Sequence, residues 1–246
     1  MLLAASPLMT RADDYEPALY TDAAGKTLPY QIHKPQGYDA GKKYPLVVFL
    51  HGSGERGSDN RQQLKHGSAV FVTKEAQAQF PCFVIFPQCP ADSSWAWLNL
   101  KGKEKKAEVA EQPTEPARLV MELIAKLEKE NSIDPARIYL GGLSMGGYGT
   151  WDLLARYPKR FAAALPICGG GDPSKAATIK NVPIWAFHSS NDPTVPVGRS
   201  QEMIKALRDI GGNPKYSEYD HGGHFSWLIA FAEPDFLPWI FAQKNK

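Results

Sequence analysis

Cysteine is scarce in this sequence. Cys82, Cys89 and Cys168 form no CxxC pair and no His/Cys grouping at zinc spacing, which argues against a metal-held framework. If 83–86 is a strand rising roughly 3.3 Å per residue, Cys82 and Cys89 stand about 20 Å apart, beyond the ~7 Å that a disulfide can span. Long apolar runs are missing as well: none approaches the ~18 residues that cross a bilayer, so no membrane partner is expected. Charge of one sign is not concentrated anywhere. Lys and Arg number 28 against 26 Asp and Glu, a net charge of +2, and the longest basic patch is the short cluster from Lys101 to Lys106. Nothing here has the electrostatic footprint of a nucleic-acid binder.

What remains is ordinary globular composition: 246 residues, 43% hydrophobic and 22% charged, enough to fill one large core. Without repeats or a low-complexity linker, residues 14–246 read as one domain behind a leader, 1–13. Met1 to Ala12 is rich in Leu, Ala and Ser and ends in Thr10-Arg11-Ala12. It resembles the end of a signal peptide, although Pro7 interrupts it and a basic start is missing. Export to the periplasm or the medium is the expectation.

The first pattern, 19–34, alternates like a hairpin with its turn at 22–26. Short continuous apolar runs follow at 46–50, 83–86, 138–140, 161–167 and 184–187, with a further strand at 215–219; such runs suit strands buried on both faces. Helical patterns lie between them. The clearest is 115–130, where Val120, Leu123, Ile124 and Leu127 recur at helical spacing behind a Thr114 cap and Pro116. Another, 200–210, stops at Gly211-Gly212. Strands alternating with helices predict an α/β fold: a mostly parallel central sheet with an antiparallel N-terminal hairpin and helices on both faces. In such folds chemistry gathers at the carboxyl ends of the strands.

One of those ends carries Gly142-Leu143-Ser144-Met145-Gly146, a G-x-S-x-G between the apolar strand 138–140 and the helical pattern 148–156. A serine on a tight strand-to-helix turn takes a strained backbone, and the glycines allow the close approach of neighbouring chain. Ser144 is thereby placed at a helix N-terminus, where an anion is favoured. A hydroxyl needs a base and a group orienting that base, and the expected chain order is Ser, acid, His. Asp192 follows the 184–187 strand; Asp220, His221 and His224 follow the 215–219 strand. Asp220 is better read as a turn residue, whereas His221 and His224 remain equal candidates by spacing. For an oxyanion, the backbone N–H of Met145 and an N–H from His51-Gly52-Ser53-Gly54-Glu55-Arg56-Gly57 are required; Ser53 is assigned, with Gly54 next. The ring of His51 is read as pinning this loop, and Glu55 with Arg56 as an ion pair stabilising it. The glycine run Gly169-Gly170-Gly171 lacks G-x-G-x-x-G and offers no dinucleotide site. Neither a metal nor an organic cofactor is called for.

The stretches 44–57, Pro87-Gln88-Cys89-Pro90, 134–139 with 142–147, and Gly223-His224-Phe225-Ser226-Trp227 together resemble the α/β-hydrolase esterases. The likeness covers nearly the whole chain after about Tyr15. It is nearest the secreted-type carboxylesterases called predicted peptidases, close to feruloyl and polyhydroxybutyrate-type esterases. The resemblance implies His224 as base and Asp192 as acid. It also implies a serine carboxylic-ester hydrolase acting through an acyl-enzyme on short-chain or aromatic esters, small or polysaccharide-linked, including feruloyl and acetyl groups. A peptidase would use the same machinery, and a non-catalytic binding protein is the remaining alternative.

Trp95, Gly54 and Gln88 are the expected substrate contacts. Trp95 and Trp97 sit in a loop, 91–113, beside a strand's carboxyl end, where exposed aromatics would form a pocket wall; the competing reading is that this loop merely plugs onto the body while its lysines face water. A cover this small disfavours long-chain lipids. Oligomeric state has no signature in the sequence.

Overall fold

The computed structural model describes residues 14–96, 98–101 and 106–245. The leader expected over 1–13 lies outside them, as do Trp97 and the middle of the lysine cluster. Ten strands occur among the described residues: β1 Glu16–Thr21, β2 Thr27–His33, β3 Tyr44–Leu50, β4 Phe83–Pro87, β5 Leu98–Lys101, β6 Lys106–Val109, β7 Ile133–Leu143, β8 Ala163–Ile167, β9 Trp185–Ser189 and β10 Lys215–Tyr219. The α-helices are α1 Ser68–Val72, α2 Lys74–Gln79, α3 Glu115–Glu130, α4 Met145–Arg156, α5 Ala176–Ile179, α6 Gly198–Asp209, α7 Ser226–Ala230 and α8 Phe236–Phe241. No helix among the described residues is long and apolar enough to cross a membrane.

Eight strands form one sheet in the order β1-β2-β4-β3-β7-β8-β9-β10. The β1–β2 hairpin joins β4 antiparallel, and from β4 to β10 every neighbour is parallel. The continuous apolar runs are explained by cover on both faces. In β3, Leu46, Val48 and Leu50 pack with Val120, Leu123, Ile124 and Leu127 of α3, while Val47 and Phe49 turn to the opposite core with Phe71 and Phe236. This is the period-two alternation of a strand, both of whose faces are apolar. Helix α3 begins where the sequence reading puts it, with the Ala117 N–H donating to Thr114 Oγ1 at 3.3 Å.

Two features differ from the sequence reading. The central strand β7 starts at Ile133, not Ile138, because its N-terminal part pairs with Tyr44 across a register shift in the β3 ladder. The 91–113 segment is more than a loop: β5 and β6 form a hairpin within it, too short and polar for its alternation to register. The chain leaving that hairpin is tied to the body. Val109 N–H donates to Asp172 Oδ2 at 3.1 Å, and Arg156, paired with Asp152 at 2.7 Å, donates to the carbonyls of Ala110 and Glu111 at 2.6 and 3.1 Å.

Candidate active site

The serine turn is built by close approach. Strand β7 leads through Leu143 directly to Ser144 and α4, and Leu50 pairs with Gly142 across the ladder. A Cβ on Gly142 would stand 2.4 Å from the Gly146 carbonyl oxygen, so no larger residue fits. Ser144 itself has φ +53° and ψ −116°, a backbone conformation that costs a non-glycine residue about 1–3 kcal/mol and persists only where the surroundings impose it. They do so here: the Ser144 N–H donates to Ile167 O at 2.9 Å, and α4 begins at the next residue.

Three loops meet at this turn. His224, in the short helical turn after β10, has Nε2 2.9 Å from Ser144 Oγ and Nδ1 2.8 Å from Asp192 Oδ2. The Asp192 side chain is fully buried, and its Oδ1 accepts the N–H groups of Thr194 and Val195 at 2.8 and 2.9 Å. Burial by itself would raise the Asp192 pKa; the hydrogen bond from His224 and the two N–H groups outweigh it and hold the carboxyl below its ordinary value. The two histidines that spacing left equal are separated by the turn between them. Gly222 at φ +97° and Gly223 at φ +55° reverse the chain, leaving His221 71% exposed and 2.6 Å from Asp220. Asn191 fastens the two loops together, its Oδ1 accepting the Gly223 N–H at 3.0 Å. Nothing in the sequence marks that contact.

The loop after β3 lies against the serine from the other side. A Cβ on Gly52 would be 3.7 Å from Ser144 Cβ. Ser53 opens a 3-10 turn and is exposed, as is Gly54, whose Cα faces open space. Met145 is the first residue of α4, so its N–H has no acceptor within the helix.

His51 holds that loop. Its Nε2 accepts the Cys89 N–H at 2.9 Å, and its Nδ1 stands 2.6 Å from Gly52 O, so the hydrogen must sit on Nδ1. Burial pushes its pKa down to about 4. Between about pH 4 and the ordinary 6.5, the unfolded chain therefore binds a proton that the folded one does not. Stability from this group is complete above pH 6.5 and is lost as pH falls toward 4, by up to about 3 kcal/mol. Urea unfolding at pH 7 and pH 4.5 should show a steeper loss for the wild type than for His51→Gln; equal losses would show that His51 is not the group responsible.

The expected substrate contacts fare unequally. Trp95 is fully buried, its Nε1–H donating to His51 O at 3.0 Å and its ring edge-on to His51; it packs the loop after β3 onto the body. Gln88 is also fully buried. Its Nε2 donates to Glu55 O at 3.2 Å and Asp59 Oδ1 at 2.9 Å, and its Oε1 accepts the Asn60 N–H at 2.7 Å, so every polar atom is spent bracing residues 55–60. Gly54 alone of the three is on the surface. Glu55 does not pair with Arg56. Its buried carboxylate lies 3.7 Å from His66 Nε2, while Arg56 donates to the carbonyls of Ser53 and Ser93. His66 packs against Trp227, whose ring stands perpendicular to that of His224 at 5.4 Å between centroids.

Among the described residues one group has metal-ligand geometry: Cys168 Sγ, an Asp192 oxygen and a His224 nitrogen lie within 4.8 Å of one another. The donor chemistry is poor for a cation. Burial raises the Cys168 thiol to about 12, so it is not a thiolate at neutral pH, and Asp192 and His224 are already bonded to each other.

Residues 38–232 match the phospholipase/carboxylesterase family. A crystal structure of a thermostable esterase superposes with a TM-score of 0.87 at 42% identity, covering 95% of this chain and 64% of that one. Among curated proteins, poly(3-hydroxyalkanoate) depolymerase C of Paucimonas lemoignei is 30% identical over 150 residues, 59% of this chain and 32% of that one. A probable feruloyl esterase C of Aspergillus terreus is 24% identical over 183 residues, 74% of this chain and 62% of that one. The chain thus spans less than two thirds of the length of each of these relatives. Ser53, Ser144, Asp192 and His224 all fall inside the matched region, and the chain, with its α/β-hydrolase fold, belongs to the phospholipase/carboxylesterase family.

Proposed function

We propose that this chain is a serine carboxylesterase that works through an acyl-enzyme. The observation that carries the reading is the continuous contact Ser144 Oγ to His224 Nε2 and His224 Nδ1 to Asp192 Oδ2, at 2.9 and 2.8 Å. Ser144 attacks the ester carbonyl as His224 takes its proton, and Asp192 holds the ring in the Nδ1–H tautomer and stabilises the imidazolium. The Met145 and Ser53 N–H groups receive the oxyanion. His224 then gives its proton to the departing alcohol, and water repeats the sequence to release the acid.

The substrates we propose are short-chain or aromatic esters, free or linked to polysaccharide as acetyl or feruloyl groups. Phe225 and Leu228, one and four residues after His224, are 56% and 61% exposed and offer apolar surface next to the base in the chain. The family relationship and the feruloyl esterase relative support the same class, and the leader suggests export. Initial rates on p-nitrophenyl acetate, butyrate and octanoate and on methyl ferulate test this. Acetate or ferulate should be turned over fastest and octanoate slowest. Fastest turnover of octanoate would overturn the substrate class, and cleavage of peptide amides without any ester turnover would overturn the esterase assignment.

A further inference from the structure

Strand β9 ends one turn of chain before Asp192, and its penultimate residue, His188, is fully buried beneath the Asp192 loop. The ring is committed at both nitrogens. Nε2 lies 3.0 Å from Val195 O and 3.3 Å from Asp192 Oδ2. Both neighbours accept hydrogen and neither donates, so Nε2 must carry the hydrogen. Nδ1 stands 2.8 Å from Ser200 Oγ in the first turn of α6, and that oxygen is also 3.0 Å from Gly169 O. Burial lowers the His188 pKa against the opposing pull of Val195 O and Asp192. The hydrogen on Nε2 is fixed by its two acceptors, whichever of Nδ1 and Gly169 O receives the single hydrogen of the Ser200 hydroxyl.

The consequence lies in the loop. Val195 is gripped at both ends of its backbone: its carbonyl accepts from His188, and its N–H donates to Asp192 Oδ1 at 2.9 Å. Asp192 Oδ1 is thereby turned toward its own loop and Oδ2 toward His224. The His188 N–H also supplies partial positive charge to Oδ2, with Nε2 3.3 Å from that oxygen. Without this ring, the buried carboxylate would lose that hydrogen and the Val195 carbonyl would lose its donor.

We infer that His188 is a positioning residue for ester hydrolysis: through Nε2–H it closes the Asp192–Val195 loop and fixes the carboxylate in the orientation that holds His224 over Ser144. The inference rests on the serine-esterase reading above. A misplacement of about 1 Å at a reacting group costs on the order of 100-fold, and that sets the scale of the test.

The test compares kcat and KM on p-nitrophenyl acetate, with melting temperature as the folding control, for wild type, His188→Leu, His188→Gln, Asp192→Asn and the double variant His188→Leu/Asp192→Asn. His188→Leu should lose roughly 10–100-fold in kcat with KM within about twofold. His188→Gln, whose amide nitrogen reaches the place of Nε2, should stay within about fivefold of wild type. The double variant should be no more than about twofold slower than Asp192→Asn alone, because a residue that acts only through Asp192 has nothing left to orient. Where the leucine variant does not fold, His188→Asn against His188→Gln makes the same comparison, since the shorter amide cannot reach Val195 O.

Wild-type kcat in His188→Leu, failure of Gln to restore what Leu or Asn loses, or multiplicative losses in the double variant would each overturn the inference. A crippled Asp192→Asn beside a normal His188→Leu would sink this inference and leave the esterase reading standing. A fully active Asp192→Asn would sink the reading itself.

Discussion

Replacement of Ser144 by alanine should lower kcat by about 10⁴–10⁶-fold while the protein still folds. The first half follows from the geometry. Ser144 Oγ is the one atom that both faces the imidazole Nε2 at 2.9 Å and sits at the start of α4, where the helix dipole and first-turn N–H groups favour developing negative charge. On the proposed mechanism no acyl-enzyme can then form, and what remains is water attack assisted by the proposed oxyanion donors. The second half follows from what the substitution leaves intact. Alanine keeps the Cβ, the hydrogen bond from the residue 144 N–H to Ile167 O is a backbone bond, and the positive φ is imposed by β7, β8 and α4 and not by the hydroxyl. Single-turnover and steady-state rates on p-nitrophenyl acetate, with the melting temperature beside them, check both halves. Residual activity within tenfold of wild type would remove Ser144 from the mechanism.

Gly146→Ala is expected to do the reverse and cost the fold. A Cβ at this position would stand 2.0 Å from Leu50 O, 2.5 Å from Leu50 C and 2.9 Å from His51 O. These are backbone atoms, not the ends of side chains that can swing away. Leu50 is fully buried and paired with Gly142 in the centre of the sheet, and His51 is bonded to Cys89. Relief of the overlap requires α4 to lift off β3, which opens the core between Leu50, Trp95 and Leu154. We expect a loss above about 4 kcal/mol, against a total of roughly 5–15 kcal/mol for a typical domain, and hence little soluble protein. Gly54→Ala is the control: Gly54 faces open space, and its stability should stay within about 0.5 kcal/mol of wild type. Denaturant midpoints decide, and a Gly146→Ala midpoint equal to that of Gly54→Ala would refute the close approach.

The loop around the histidines shows how far spacing reaches. Apolar periodicity locates the central strands because a doubly covered strand must be apolar at nearly every position, and 83–87, 163–167 and 185–189 all lie within a residue or two of the patterns that announce them. The same reasoning placed 53, 144, 192 and 224 at the carboxyl ends of those strands. It left His221 and His224 equal, since a three-residue offset on a glycine turn is decided by two backbone angles that no pattern encodes.

Trp95 and Gln88 show the complementary limit. Both are residue types that line sugar or aromatic pockets, and both sit beside the correct strand end. Whether such a side chain meets solvent depends on what folds over it from elsewhere in the chain: His51 in one case, residues 55–60 in the other. His188 went unread for the same reason. As the penultimate residue of a buried strand it carries no motif, and its partners, Asp192, Val195 and Ser200, reach it only after the chain has turned back over the sheet.

The sequence by itself determined the layered α/β architecture, the serine turn and the order of the three loops, because burial on two faces and close backbone approach leave a residue-type record at each position. Tertiary structure alone decided which histidine meets the serine, which aromatic and amide side chains are sealed in, and what holds Asp192 in place. Those outcomes are contacts between segments distant in the chain, and such a contact leaves its evidence in the partner and not in the residue.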